Sequence, residues 1–122
     1  MRRRVWRIAV ASSDAKVINE HFGRANEFFI IDLVSDGTYT FVEKRATAPI
    51  CVNGEHSQQA LSERVEALKD CVAVLVTQIG TLAERALEQN GISVFVQPDY
   101  IDSALLKLAR YFTKTKFIKP EE

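Results

Sequence analysis

Two short stretches of the sequence carry residue types that could bind a metal. His21 and Arg24 lie together in the first, which follows a strand-like segment. Cys51 and His56 lie five positions apart in the second, a segment that contains a glycine and shows no hydrophobic period. Imidazole nitrogen and thiolate sulfur are common ligands of iron and zinc. Two imidazoles and a thiol therefore favour a metal or cluster site over other chemistry.

Each stretch also has another interpretation. His21 could cap a helical turn, with Phe22 in the core and Gly23 adopting a positive φ. Cys51 and His56 could act as the nucleophile and base of a hydrolase, although no third, orienting group is evident. The spacing alone leaves these interpretations open.

A third candidate is an anion site at Gly80 and Thr81. The apolar run over residues 71–76 predicts a strand that is buried on both faces. Thr81-Leu82-Ala83-Glu84 has the pattern of a capping box, which predicts that a helix begins directly after this strand. The first N–H groups of a helix can bind an anion. Cys71, at the start of the strand, is interpreted as a small core residue.

The remaining patterns predict the elements that must position these residues. Strands are predicted over 6–10, 28–34, 39–45, 71–76 and 92–96, helices over 61–68, 81–89 and 101–112, and a loop over 46–56. The order β-β-β-α-β-α-β-α predicts an α/β fold in which a three-strand antiparallel meander joins two parallel strands in one mixed sheet. Ligands of such sheets bind at the carboxyl ends of the parallel strands, here residues 77–81. The loops of His21 and Cys51 could reach the same edge.

Composition limits the classes of function. The 122 residues, 47% of them hydrophobic, predict a single domain over 1–122, with a core over 5–112 and a polar tail over 113–122. The 16 basic and 16 acidic residues cancel, so no overall field favours nucleic acid or an anionic membrane. The apolar runs are only as long as strands, and the basic start, residues 1–4, lacks the apolar region of a signal peptide. We therefore expect a cytoplasmic protein without a membrane span.

Several motifs, taken in order, resemble one known family. They are Ile8-Ala9-Val10-Ala11-Ser12, residues 17–25 with the core His21-Phe22-Gly23-Arg24-Ala25, Phe28, Pro49-Ile50-Cys51, residues 68–76, Ile79-Gly80 and Gly91-Ile92. Together they cover residues 7–112 and resemble the dinitrogenase iron-molybdenum cofactor biosynthesis proteins. That family includes small carriers of nitrogenase cofactor precursors and the C-terminal domain of the radical enzyme that makes the cluster core.

The resemblance implies a ribonuclease-H-like mixed sheet and a binding protein without catalytic activity. It implies that the protein carries an iron-sulfur or iron-molybdenum precursor cluster between nitrogenase cofactor assembly proteins. A metal-free regulatory or scaffolding relative that binds a protein partner is the alternative. The residues expected at the cluster are His21 and Cys51 as metal ligands, Arg24, Gly80 and Thr81 facing its negative charge, and His56 as a helper.

Overall fold

The computed structural model describes residues 4–47, 51–52, 55–56 and 58–115. Seven strands and three helices occur within these ranges. In chain order they are β1 Val5–Val10, β2 Glu27–Val34, β3 Tyr39–Ala46, β4 Cys51–Val52, β5 Glu55–His56, α1 Gln58–Ala67, β6 Ala73–Val76, α2 Thr81–Gln89, β7 Ser93–Val96 and α3 Ile101–Thr115.

Five of the strands form one mixed sheet in the order β3-β2-β1-β6-β7. β1 runs antiparallel to β2, and β2 runs antiparallel to β3, which gives the predicted meander. β6 pairs with β1 on one side and with β7 on the other, both in parallel. The predicted mixed α/β sheet with three helices is therefore confirmed, and β1 is the strand that joins its antiparallel and parallel halves.

Alternation along β1 divides the core into two layers. Ile8 and Val10 point to one face of the sheet, where they pack in one layer with Phe112 and other residues of α3. Ala9 and Ala11 point to the other face, which α1 and α2 cover. Because side chains of a strand alternate between faces, one short strand supplies both cores. All four residues of β6 are buried, as its continuous apolar run predicts.

Two predicted turns occur where the sequence places them. The β2–β3 hairpin turns at Asp36-Gly37, where Gly37 has φ +96°. This left-handed conformation favours glycine; a Cβ here would also lie 2.7 Å from Leu106 Cδ1, the end of an exposed side chain that can move aside. α2 ends at Asn90 and Gly91, where Gly91 has φ +78°.

The predicted loop over 46–56 is wrong in part. Cys51–Val52 and Glu55–His56 form a two-stranded antiparallel ladder, so two short strands precede α1. Asn53-Gly54 is a sequence pair typical of two-residue hairpins, and the prediction of a loop from the lack of hydrophobic alternation did not use it. Two helices are also longer than predicted, because α1 begins at Gln58 and α3 continues to Thr115. None of the helices in the described ranges combines the length and apolar character needed to cross a membrane.

Candidate functional site

Hydrogen bonds to the end of β6 position the turn that carries His21. The Phe22 N–H donates to the Gln78 carbonyl at 2.9 Å, and the Thr77 N–H donates to the Glu20 carbonyl at 3.0 Å. His21 is thereby the parallel bridge partner of Gln78. The chain from 20 to 22 continues the sheet just past the carboxyl end of β6, the edge where ligands of parallel sheets bind.

The turn separates buried from exposed side chains. Its backbone closes where the Ala25 N–H donates to the His21 carbonyl at 3.0 Å. Phe22 is fully buried, and its ring lies 5.8 Å from the ring of Phe28. His21 and Arg24 are exposed on the other side of the turn. Burial of the phenylalanine thus anchors a turn that presents an imidazole and a guanidinium to solvent.

Gly23 does not have the positive φ that the sequence suggests. Among the described glycines, positive φ angles occur at Gly37 and Gly91. The turn is closed by a helix-like bond from residue 25 to residue 21, and this geometry needs no left-handed residue. Gly23 instead lines the cleft beside His21.

The inner side of the turn is held by Arg64 of α1. This arginine is only 1% exposed. Its guanidinium donates to the carbonyls of Phe22 and Ala25, the latter at 2.6 Å. It also lies over the rings of Phe22 and Phe28, 5.4 Å and 5.3 Å from their centroids. The turn is therefore fixed at one end by β6 and at the other by α1.

The first turn of α2 faces the same corner. Gly80 is the N-cap in an extended conformation, and no side chain caps the helix. The predicted capping box at Thr81 is therefore wrong, because Thr81 is the first helical residue and Glu84 lies one position too late to reach back to the cap. The N–H groups of the first turn have no partner within the helix, and the helix dipole makes this end electropositive.

His21, Arg24, Gly80 and Thr81 all line one open cleft of about 960 Å³ between α1 and α2. These four residues are called the corner of the cleft below. The structure thus brings together four of the six residues predicted for the site. Among the described lining residues the charged side chains are Arg24, Arg85 and Glu66, so cations outnumber carboxylates.

The side chains of Cys51 and His56 lie outside the described residues. Their backbones are register partners in the β4–β5 ladder. β5 ends at His56, two positions before α1 begins at Gln58, and Gln58 lines the cleft. The prediction that Cys51 ligates a metal and that His56 assists it therefore stays a prediction. Within the described ranges, no three His, Cys, Asp or Glu side chains lie close enough together to hold a metal ion.

Cys71 is a core residue, as predicted from the sequence. Its side chain is 1% exposed and packs in the layer beneath α1 and α2. Burial raises the pKa of the Cys71 thiol to about 12, and the neighbouring Asp70 carboxylate adds to the rise. Since the thiolate is the form that binds metals, this cysteine is unsuited to ligation.

The sequence did not lead us to predict a role for Arg64, although its position on the predicted helix indicates one. The apolar stripe of the predicted helix consists of Leu61, Val65 and Leu68, and Arg64 falls three residues after Leu61 on the same face. An arginine on the buried face of a helix needs partners that satisfy its donors. The carbonyls of the His21 turn are such partners.

Comparisons with known proteins identify relatives over most of the chain. A family model described as dinitrogenase iron-molybdenum cofactor matches residues 4–111. The FeMo cofactor biosynthesis protein NifB of Frankia alni is 35% identical over 105 residues, which is 83% of this chain and 20% of that protein. NifB of Azotobacter vinelandii is 36% identical over 88 residues, 70% of this chain and 17% of that protein. The chain thus spans about a fifth of the length of these curated relatives.

Two solved structures share the fold. The crystal structure of PH0822 superposes with a TM-score of 0.59 and 23% identity, covering 86% of this chain and 90% of that one. A protein of Methanocaldococcus jannaschii that was provisionally named a dinitrogenase gives a TM-score of 0.57 at 11% identity, covering 88% and 91%. At these identities the likeness supports the architecture alone.

Proposed function

Because the chain belongs to the dinitrogenase iron-molybdenum cofactor family, we propose that it binds an iron-sulfur or iron-molybdenum precursor cluster and hands it on during nitrogenase cofactor assembly. The observation that carries the proposal is the corner of the cleft. There an exposed imidazole, an exposed guanidinium and an uncapped helix start line one cavity. This combination offers a ligand atom together with two sources of positive potential.

The size and charge of the cleft support an anionic ligand of this kind. Its volume of about 960 Å³ lies at the upper end of the range for small-molecule and cofactor sites. Arg24 stands at the corner and Arg85 farther along α2, and both would face the negative charge of a cluster. The N–H groups of the first turn of α2, which begins at Thr81, would add hydrogen bonds to sulfides or other acceptors.

A carrier must also release its cargo. His21 is the one metal-ligating residue type at the corner within the described structure, so a cluster bound there takes few protein ligands. We assign Cys51 as a second ligand and His56 as a helper, because β5 ends at His56, two positions before the α1 wall of the cleft begins at Gln58. Few ligands and an open cleft favour exchange over permanent storage.

The remaining parts of the proposal concern the wider setting of the protein. The names of the curated relatives assign them to FeMo cofactor biosynthesis, and the chain corresponds to about a fifth of their length. We therefore propose binding without catalysis for this domain, with other cofactor assembly proteins as donors and acceptors of the cluster in the cytoplasm. The ribonuclease-H-like class implied by the resemblance belongs to this proposal as well.

Anaerobic mixing with the isolated precursor cluster, followed by gel filtration and iron counting, tests the proposal. We expect iron to co-elute with the wild-type protein. Arg24→Ala is expected to weaken binding by about 2- to 5-fold, since one exposed charge contact is worth up to about 1 kcal/mol. Arg110→Ala is the matched control, because Arg110 is an exposed arginine on α3, which packs on the opposite face of the sheet.

Two results would contradict the proposal. If no iron travels with the wild-type protein, the chain does not carry the cluster. If Arg110→Ala weakens binding as much as Arg24→Ala does, the cluster is held by general charge attraction and not in the cleft.

A further inference from the structure

Arg64 joins the wall of the cleft to the turn that carries the candidate ligand. From this arrangement we propose that Arg64 is a positioning residue, which fixes the orientation of His21 and makes it depend on the docking of α1. The inference rests on the proposed function, since it concerns how the same site holds its cluster. It adds a role for a residue that cannot itself contact the cluster, because its side chain is buried.

Arg64 binds two carbonyls of the turn at once. The carbonyls of Phe22 and Ala25 stand three residues apart at the inner end of the turn, and both accept from the Arg64 guanidinium. A planar guanidinium has donors in a fixed fork and can hold two acceptors in one arrangement. An ammonium group is a point donor on a flexible stem and does not impose that arrangement.

His21 lies at the other end of the same turn. Its carbonyl accepts from the N–H groups of Arg24 and Ala25, at 3.2 Å and 3.0 Å. A shift of the Ala25 carbonyl therefore moves the residue whose N–H closes the turn on His21. The ring of Phe22 is packed under the guanidinium, so the residue next to His21 is fixed by the same group.

Few of the residues of α1 are buried. Within its ten residues, Arg64 and Val65 are the buried ones, whereas six residues of α3 are buried. Arg64 is thus one of the two buried residues of α1, and its hydrogen bonds go to the His21 turn. Leu61 and Ser62 of the same helix line the cleft. Arg64 therefore joins the helix that forms this wall of the cleft directly to the His21 turn.

Arg45 provides a matched control for a purely structural effect. Its guanidinium donates to the Ala67 carbonyl at the end of α1 at 2.8 Å and pairs with Asp70. It therefore also ties α1 to the sheet, but its hydrogen bonds go to Ala67, Asp70 and Glu43 and not to the turn at 21–25. Loss of this arginine should reduce stability without moving His21.

The experiment compares Arg64→Lys, Arg64→Met and Arg45→Lys with the wild-type protein. Thermal unfolding measures stability, and the Hε1 signal of His21 through a pH titration by NMR measures the surroundings of the imidazole. Because the chain has two histidines, His56→Ala assigns the signals. Iron co-elution with the precursor cluster measures binding well below each melting temperature.

We expect Arg64→Lys to shift the His21 signal and to weaken cluster binding by about 10-fold. This is the lower end of the loss in metal affinity that follows when a residue that orients a metal ligand is changed. Arg45→Lys should lower the melting temperature and leave the His21 signal and the binding as in the wild type. If Arg64→Met does not fold, the two lysine variants still decide the question. The proposal is wrong if Arg64→Lys keeps the wild-type signal and affinity, or if Arg45→Lys changes both equally.

The two hypotheses fail in different ways. If wild-type protein binds no cluster, the proposed function fails, and the NMR comparison of the two lysine variants still tests positioning. If wild-type protein binds the cluster and the lysine variants behave alike, positioning fails while the carrier function stands.

Discussion

The chemistry of the two cysteines gives a sharp prediction, because the structure makes Cys71 unreactive. At pH 8 a thiol with the ordinary pKa of 9.0 is about one-tenth thiolate. Burial raises the pKa of Cys71 to about 12, which leaves about one molecule in ten thousand ionised. Alkylation of native Cys71 should therefore be at least about 10³-fold slower than alkylation of the unfolded chain, and the 1% exposure of the side chain slows it further.

The assay is iodoacetamide labelling at pH 8, followed by mass spectrometry of the peptide that contains Cys71. The variant Cys51→Ser removes the other thiol, so all labelling reports Cys71, and the same variant in concentrated urea gives the reference rate. Native labelling within about tenfold of that reference would refute the burial argument. Cys71→Ala should correspondingly leave cluster binding unchanged, so that a thiol ligand, if the site uses one, is Cys51.

Two further predictions concern stability. Hydrogen bonds from Arg45 lower the pKa of Asp70 to about 2, so the stability from this pair is present above about pH 4 and is lost as the pH falls towards 2. Because the carboxylate is 42% exposed, we expect Asp70→Asn to cost about 1 kcal/mol at pH 7 and much less at pH 2, with Glu88→Gln as the exposed control. Urea unfolding at a series of pH values measures this, and a difference as large at pH 2 as at pH 7 would contradict it. Ala15 has φ +63°, a left-handed conformation that glycine adopts more easily. Ala15→Gly should therefore raise the free energy of unfolding by about 0.5–1 kcal/mol. A lower urea midpoint in this variant would contradict the idea that Ala15 is strained.

The sheet could be predicted from the sequence because its strands follow simple physical rules. In β1 the large apolar residues Trp6, Ile8 and Val10 alternate with Arg7 and Ala9, and the structure buries the large ones in one layer and Ala9 in the other. The apolar run of β6 predicts a strand covered on both faces, and the structure confirms it. Asp36-Gly37 and Asn90-Gly91 are strong local stop signals, and both end their elements as predicted. These features depend on residues that are close in sequence, which is why they can be predicted from the sequence.

The site could be predicted only in part, because it depends on contacts between distant segments. Its location at the carboxyl end of the parallel strands follows from topology, and His21, Arg24, Gly80 and Thr81 do line one cleft there. The Arg64 contacts join residues 39 and 42 positions apart, and no local pattern specifies such a pair. The start of α2 at Thr81 is as predicted, but its N-cap is Gly80 and not Thr81, and no side chain caps the helix.

The central claim is that His21 holds a nitrogenase precursor cluster in this cleft. The most direct test is the cluster affinity of His21→Ala, measured anaerobically by iron co-elution beside the wild-type protein and His56→Ala. Because His21 is exposed, its loss should leave thermal unfolding unchanged. We predict that His21→Ala loses at least about 10-fold in affinity while it remains folded. Wild-type affinity in a folded His21→Ala protein would contradict the account and move the site elsewhere.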